Sequence, residues 1–260
     1  MLVDSHCHLN YGAMKDDIAG VIARAEAAGV KTLLAINARL AEFEEVRAIA
    51  QGAPHVWASV GVHPHEAAAE PDIESAALLS RAAHPKVIGI GETGLDYYYE
   101  HAPRAMQQAN FRAHIAAARD SGLPLIVHSR DAEDDTAAIL REEMAKGAFA
   151  GVIHCFTASA ALAHAALELG FYISLSGILT FKSAGDLQAI AADIPRDRLL
   201  VETDAPYLAP VPLRGRPCEP AYVVHTARFL AALRREAFAD LAAATTENFF
   251  RLFTKARAPA

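Results

Sequence analysis

The chain has 260 residues, 53% hydrophobic and 21% charged, with a formal net charge of −7 at pH 7. This composition can bury a sizeable core and excludes a disordered chain. The negative balance argues against a surface that coats nucleic acid by broad phosphate neutralisation, but leaves room for a local cationic site supplied by bound metal.

Short β-branched and apolar runs alternate with alanine-rich segments of helical period. The first run, "LVDSH", precedes the amphipathic "DDIAGVIARAEAAG", which stops at Gly29. The runs "KTLLAIN", "VWASVGVH" and "VIGIGE" follow. The helical segment "RAMQQANFRAHIAAARDSG" stops at Gly122 and leads into "PLIVHS" and "GVIHCF". Gly170 closes the next helix before "FYISLSG", and "RLLVETD" is the eighth run. Eight strand–helix alternations predict an α/β fold, a (β/α)8 TIM-type barrel, with a doubly wound open sheet as the alternative. No linker, repeat or low-complexity segment interrupts the pattern, so residues 1–260 read as a single domain.

Three cysteines, Cys7, Cys155 and Cys218, form no CxxC pair, so no disulfide framework is expected. The N-terminus shows no basic segment followed by an apolar one, and no apolar run approaches the roughly 18–20 residues that span a bilayer. A cytoplasmic protein without a membrane partner is expected, with a monomer favoured.

Near the start, "VDSHCHLN" sets His6 and His8 two residues apart. On a strand they share one face, about 7 Å apart, while Cys7 faces the other way. Two imidazoles at a strand end can converge on one metal ion; two solvated histidines on an edge strand are the plain alternative. Ligand-type residues recur at other strand ends: Glu92, His128, His154 and Asp204. Parity pairs Ile90 with Glu92, Ile126 with His128, Val152 with His154, and Glu202 with Asp204. In a barrel all would face the lumen at its C-terminal end, the usual active-site face. Four histidines and two carboxylates gathered there can hold two divalent cations.

In this combination the chain resembles the TatD-like metal-dependent deoxyribonucleases of the amidohydrolase superfamily. The resemblance runs from "LVDSHCHLN" through "VGVHPHE", "GETGLDYY", "PLIVHSRDAEDD" and "HCFTAS" to "RLLVETDAPYLAP" and "TTENFFRLF". It implies a (β/α)8-type barrel, a one- or two-metal site, and hydrolysis of DNA phosphodiester bonds. By that analogy His6, His8 and Asp204 hold one metal, His128 and His154 the second, and Glu92 both. The ions are expected to be Zn²⁺, Mn²⁺ or Mg²⁺, since mixed imidazole and carboxylate ligands accept each. Such a pair supplies a nucleophile from water at neutral pH. Glu92 and Asp204 are then the catalytic carboxylates, Asp204 accepting the water's proton. The expected partner is DNA, as single strands or ends, cut exonucleolytically.

Other residues carry weaker expectations. The resemblance suggests that His63, in "VGVHPHE", contacts substrate; a loop histidine beside Pro64 is the alternative. Arg130 could reach a phosphate oxygen or make a surface salt bridge. Glu202 and Asp4 sit one parity step below ligands, where they could orient imidazoles or make buried structural hydrogen bonds. The "LRGRPCEPAYV" loop gathers Arg214, Arg216 and Glu219, and in the resembling family this region meets substrate, which makes Glu219 a substrate-binding candidate. Cys218 stands where that pattern leads one to expect asparagine. Tyr97, Tyr98 and Tyr99 could stack on bases or pack under the adjacent loop. Two other functions compete: a binuclear hydrolase of a small ester, lactone or amide, and a non-catalytic metal-binding scaffold. A carboxylate rather than a modified lysine at the bridging position favours the nuclease, and retention of all six ligands disfavours the scaffold.

Overall fold

The computed structural model describes residues 1–71 and 73–259. Eight strands among them coincide with the eight runs: β1 (Leu2–Cys7), β2 (Val30–Ala35), β3 (Val56–Val60), β4 (Val87–Asp96), β5 (Leu125–Arg130), β6 (Gly151–Ile153), β7 (Tyr172–Leu175) and β8 (Leu199–Val201). Each pairs in parallel with the next, in the order β1 to β8. Parallel strands require crossovers, and helices supply them. These are α1 (Ile18–Ala27), α2 (Phe43–Gly52), α3 (Ser75–Ala82), α4 (Arg104–Ser121) and α5 (Glu133–Lys146). The second half adds α6 (Ala160–Glu168), α7 (Gly185–Asp193), α8 (Val223–Arg234) and α9 (Phe238–Leu252).

The sheet curls back on itself at the first and last strands. Cys7 bridges Ala205 in parallel, His8 N–H donates to the Ala205 carbonyl at 2.8 Å, and Asp204 N–H donates to the His6 carbonyl at 2.9 Å. The seam is thus made by the segments that carry expected ligands. The closed barrel is the predicted fold, and the open doubly wound sheet is excluded.

Two apolar layers hold it. One buried cluster takes a side chain from every strand: Val3, Leu34, Trp57, Ile88, Ile126, Val152, Tyr172 and Leu200. Phe249 and Leu252 of α9, with Phe253 just beyond, pack into the same cluster, so the C-terminal helix adds its aromatic face to the barrel interior. The larger cluster joins the outer strand faces to the helices, for example Leu33 and Cys7 with Val21 and Phe43. Local signals terminate the helices as expected: α4 ends at Gly122, whose φ of 69° a residue with a Cβ rarely adopts. Among the described residues no helix is long and apolar enough to cross a membrane.

Candidate metal centre

β4 runs four residues past the expected "VIGIGE", and its pairing with β5 slips between Ile90 and Thr93. That slip corrects the parity argument. Ile88 belongs to the barrel-interior cluster and Ile90 to the outer one, so simple alternation from Ile90 would turn Glu92 toward the helices. The extra residue in β4 returns Glu92 to the interior face. β1 has a similar irregularity between Asp4 and Cys7, the stretch that carries His6. Glycine makes the local approach possible. Gly94 has φ 135°, and a Cβ there would lie 2.0 Å from the His128 carbonyl oxygen on β5. At Gly91, φ 133°, a Cβ would lie 2.5 Å from the Ile126 carbonyl.

The expected ligands meet around Glu92, which is 2% exposed. His6 Nε2 lies 3.4 Å and His8 Nε2 3.7 Å from Glu92 Oε2. The two imidazole nitrogens are 3.3 Å apart, and Asp204 Oδ1 is 3.7 and 3.5 Å from them. The other oxygen, Oε1, faces His154 Nε2 at 2.7 Å, His128 Nδ1 at 3.2 Å and His63 Nε2 at 3.4 Å. Tetrahedral ligation at about 2.0–2.1 Å sets ligand atoms about 3.3–3.4 Å apart, close to these spacings. Oε2 of Glu92 is buried with no hydrogen-bond partner among the described residues. Donor type, spacing and an unpartnered buried carboxylate oxygen all fit divalent cations.

Electrostatics agree with carboxylates kept charged for such a role. Burial pushes the Glu92 carboxyl upward, but His154, His63 and His6 outweigh it and hold it well below the usual range. Burial likewise opposes ionisation of Asp204, and the bond from His8 with the nearby His6 and His154 prevails. The His63 imidazole is driven the other way, well below its ordinary value, chiefly by burial.

The weaker expectations separate. His63 and Arg130 line a cavity of about 950 Å³ above the cluster, which Tyr11, Tyr99 and Tyr207 also border. Arg130 makes no salt bridge among the described residues; its guanidinium stacks 4.0 Å over the Tyr98 ring and 4.8 Å from that of Tyr99. Tyr97 is instead tied down, its hydroxyl donating to Asp135 at 2.7 Å. Glu202 does face an imidazole, with Oε1 3.2 Å from His154 Nδ1 and accepting from Cys155 N–H at 2.6 Å. Asp4 does not. Its carboxylate takes bonds from the Thr203 N–H and hydroxyl and the His6 backbone N–H, binding β1 to the chain after β8 rather than an imidazole. Glu219 lies outside the cavity, held by Arg24 at 2.8 Å, because its loop folds toward α1. Buried Cys218 neighbours it.

Cys7 points into the barrel–helix layer, as parity predicts. Cys155 does not follow parity. β6 ends at Ile153, Cys155 adopts φ 43°, and its thiol borders the cavity 3.2 Å from the Ser176 hydroxyl. Two site residues escape the sequence reading. Asp96 and His65 meet at 2.9 Å beside His128, and the aspartate in "GETGLDYY" was the available signal.

A barrel whose strand ends gather imidazoles and carboxylates around a buried glutamate defines a class, the metal-dependent hydrolases. Comparison with known proteins is more specific. The family model described as TatD related DNase matches residues 3–254. The uncharacterized metal-dependent hydrolase YcfH of Escherichia coli (strain K12) is 46% identical over 255 residues, covering 97% of this chain and 95% of that protein. The 3'-5' ssDNA/RNA exonuclease TatD of Klebsiella pneumoniae (strain 342) is 35% identical, covering 97% of each. Among solved structures, YJJV, a TatD homolog from Escherichia coli K12, superposes with a TM-score of 0.90 at 29% identity, covering 97% of this chain and 98% of that one. The chain belongs to the TatD-related DNase family of metal-dependent hydrolases.

Proposed function

We propose that this protein hydrolyses phosphodiester bonds of DNA as an exonuclease on single strands or ends. In this reading His6, His8 and Asp204 hold one divalent cation, His128 and His154 a second, and Glu92 both. The observation that carries it is the division of Glu92, one oxygen toward His6 and His8 and the other toward His128 and His154. Bound at these ligands, Zn²⁺, Mn²⁺ or Mg²⁺ would activate water near neutral pH and offset the charge on phosphoryl oxygens. The chain's own groups orient and exchange protons. Asp204, held ionised, accepts the proton of the attacking water. Glu202 fixes the His154 ring through Nδ1, leaving Nε2 for ligation.

Substrate contacts follow from the cavity wall. Arg130, free of carboxylate partners among the described residues, presents its N–H groups to a phosphate oxygen. His63 stands beside Glu92, where a bound phosphate would sit. Tyr99 borders the cavity and is 50% exposed, and an exposed ring of this kind stacks on an unpaired base. The name of the Klebsiella relative supports a nucleic-acid substrate. The test is product analysis on end-labelled single-stranded DNA, with each metal added back to stripped protein, for wild type and Glu92→Ala. Mononucleotide release by wild type is expected, with at least about a thousandfold loss in the variant, since metal activation is worth several kcal/mol. Near wild-type turnover by folded Glu92→Ala would reject the bridging role. Turnover of lactones or cyclic amides with none of DNA would reject the nuclease.

A further inference from the structure

Resting on His128 as a ligand of the second cation, we infer that Asp96 is a positioning residue that fixes which nitrogen of His128 is free to bind metal and links that ring to the tyrosine rim. The His128 ring is approached from both ends. Nδ1 lies 3.2 Å from Glu92 Oε1 and 3.3 Å from His154 Nε2, inside the cluster. Nε2 lies 3.2 Å from Asp96 Oδ2, outside it. An ionised carboxylate only accepts hydrogen bonds, so the proton belongs on Nε2 and the lone pair on Nδ1.

Asp96 is itself held from several directions. It is 1% exposed, and its Oδ1 accepts from the N–H groups of Tyr98 at 3.0 Å and Tyr99 at 2.9 Å. The fully buried Gln107 of α4 clamps its backbone: Asp96 N–H donates to Gln107 Oε1 at 2.7 Å, and Gln107 Nε2 donates back to the Asp96 carbonyl at 3.0 Å. His65 Nε2 adds a second donor to Oδ2 at 2.9 Å. One carboxylate therefore spends one oxygen on imidazoles and the other on the turn that carries Tyr98 and Tyr99. The bracing is one-sided. His154 has Glu202 and His128 has Asp96, while Nδ1 of His6 and of His8 finds no partner among the described residues. Loss of Asp96 should accordingly weaken the His128–His154 half alone.

Asp96→Asn isolates the effect. The amide oxygen stays with the two turn N–H groups, because the opposite flip would set NH2 against both donors. Its nitrogen then faces His128 Nε2 as a donor, drawing the imidazole proton to Nδ1 and removing the lone pair. Zinc titration against a chromophoric chelator should show the first equivalent bound as in wild type and the second weakened about 10–100-fold. His65→Ala, which leaves the bond to His128 intact, should keep both equivalents. Nitrogen NMR of histidine-labelled, zinc-loaded wild type should show His128 protonated at Nε2, a reading that needs no variant to fold. His128→Ala is the control. If it binds both equivalents normally, the ligand assignment falls and this inference with it. If it loses the second equivalent while Asp96→Asn binds as wild type, Asp96 does not have this role and the ligand assignment stands; if His128 carries its proton on Nδ1, ligation through that nitrogen fails and this inference fails with it.

Discussion

At the scale of single residues, the cysteines show how far alternation along a strand can be trusted. Cys7 lies within β1, is fully buried in the layer between barrel and helices, and donates to the Leu34 carbonyl at 3.4 Å. Cys7→Ser should keep metal content and turnover, because a hydroxyl can make the same bond and no ligand is touched. Burying it in an apolar layer should cost about 1–3 kcal/mol, read from the urea midpoint. Metal loss in the folded variant would show that the strand face has been misassigned. Cys155 sits two residues past the end of β6, where alternation no longer governs, and its thiol turns toward the cavity. His63 and Arg130 could be singled out as candidates because each closes or directly follows an apolar run; the pairing of Asp96 with His65 could not, because only the fold brings "VGVHPHE" against the end of β4.

At the scale of elements, the contact between β4 and β5 and the grip of α4 on the loop after β3 decide whether the site forms. Gly94→Ala demands both a positive φ and a Cβ 2.0 Å from a backbone carbonyl, so the strands must separate at the His128 rung. We expect a loss of more than about 2 kcal/mol together with lost metal binding, checked by thermal melts with and without zinc. A normally stable, metal-replete variant would contradict the close approach. His114 on α4 is buried and neutral: its Nδ1–H donates to the Asn110 carbonyl at 2.7 Å, and its Nε2 accepts from Val62 N–H at 2.9 Å, next to His63. Burial lowers its pKa from 6.5 to about 4. Between those values the unfolded chain binds the extra proton, so stability rises with pH through the window. The contribution is complete above about pH 6.5 and is lost as pH falls toward 4, a change of about 3 kcal/mol. His114→Gln should flatten that part of the stability profile, measured by urea unfolding at a series of pH values; an unchanged slope would exclude His114 as its source.

At the scale of the molecule, a chain of net charge −7 is proposed to hold a polyanion. If bound cations supply the attraction, affinity for a short single strand should collapse in metal-free protein and depend weakly on salt. Arg130 borders the cavity, whereas Arg214 stacks on Phe181 at 4.0 Å and lies outside the cavity wall. Few phosphates are then neutralised by side chains, and log affinity should fall against log salt with a slope of roughly −1 to −3. Binding is measured with a hydrolysis-resistant phosphorothioate single strand, for wild type loaded with metal and for wild type stripped of it. Tight, steeply salt-dependent binding to stripped protein would reveal a cationic surface and defeat this account.

Alternating apolar runs and helix stops were enough to place all eight strands, because burying one face of a strand or helix imposes a period that survives in the sequence. The six candidate ligands were legible for a related reason: polar groups at the ends of apolar strands have few other uses. Tertiary structure alone decided the rest. The slip in β4 that turns Glu92 inward depends on how β5 pairs beside it, and the ion pair of Arg24 with Glu219 depends on where α1 lies. So does the meeting of His65, Asp96 and His128 from three separate strand ends. Such contacts join residues far apart in the chain, and no local period records them.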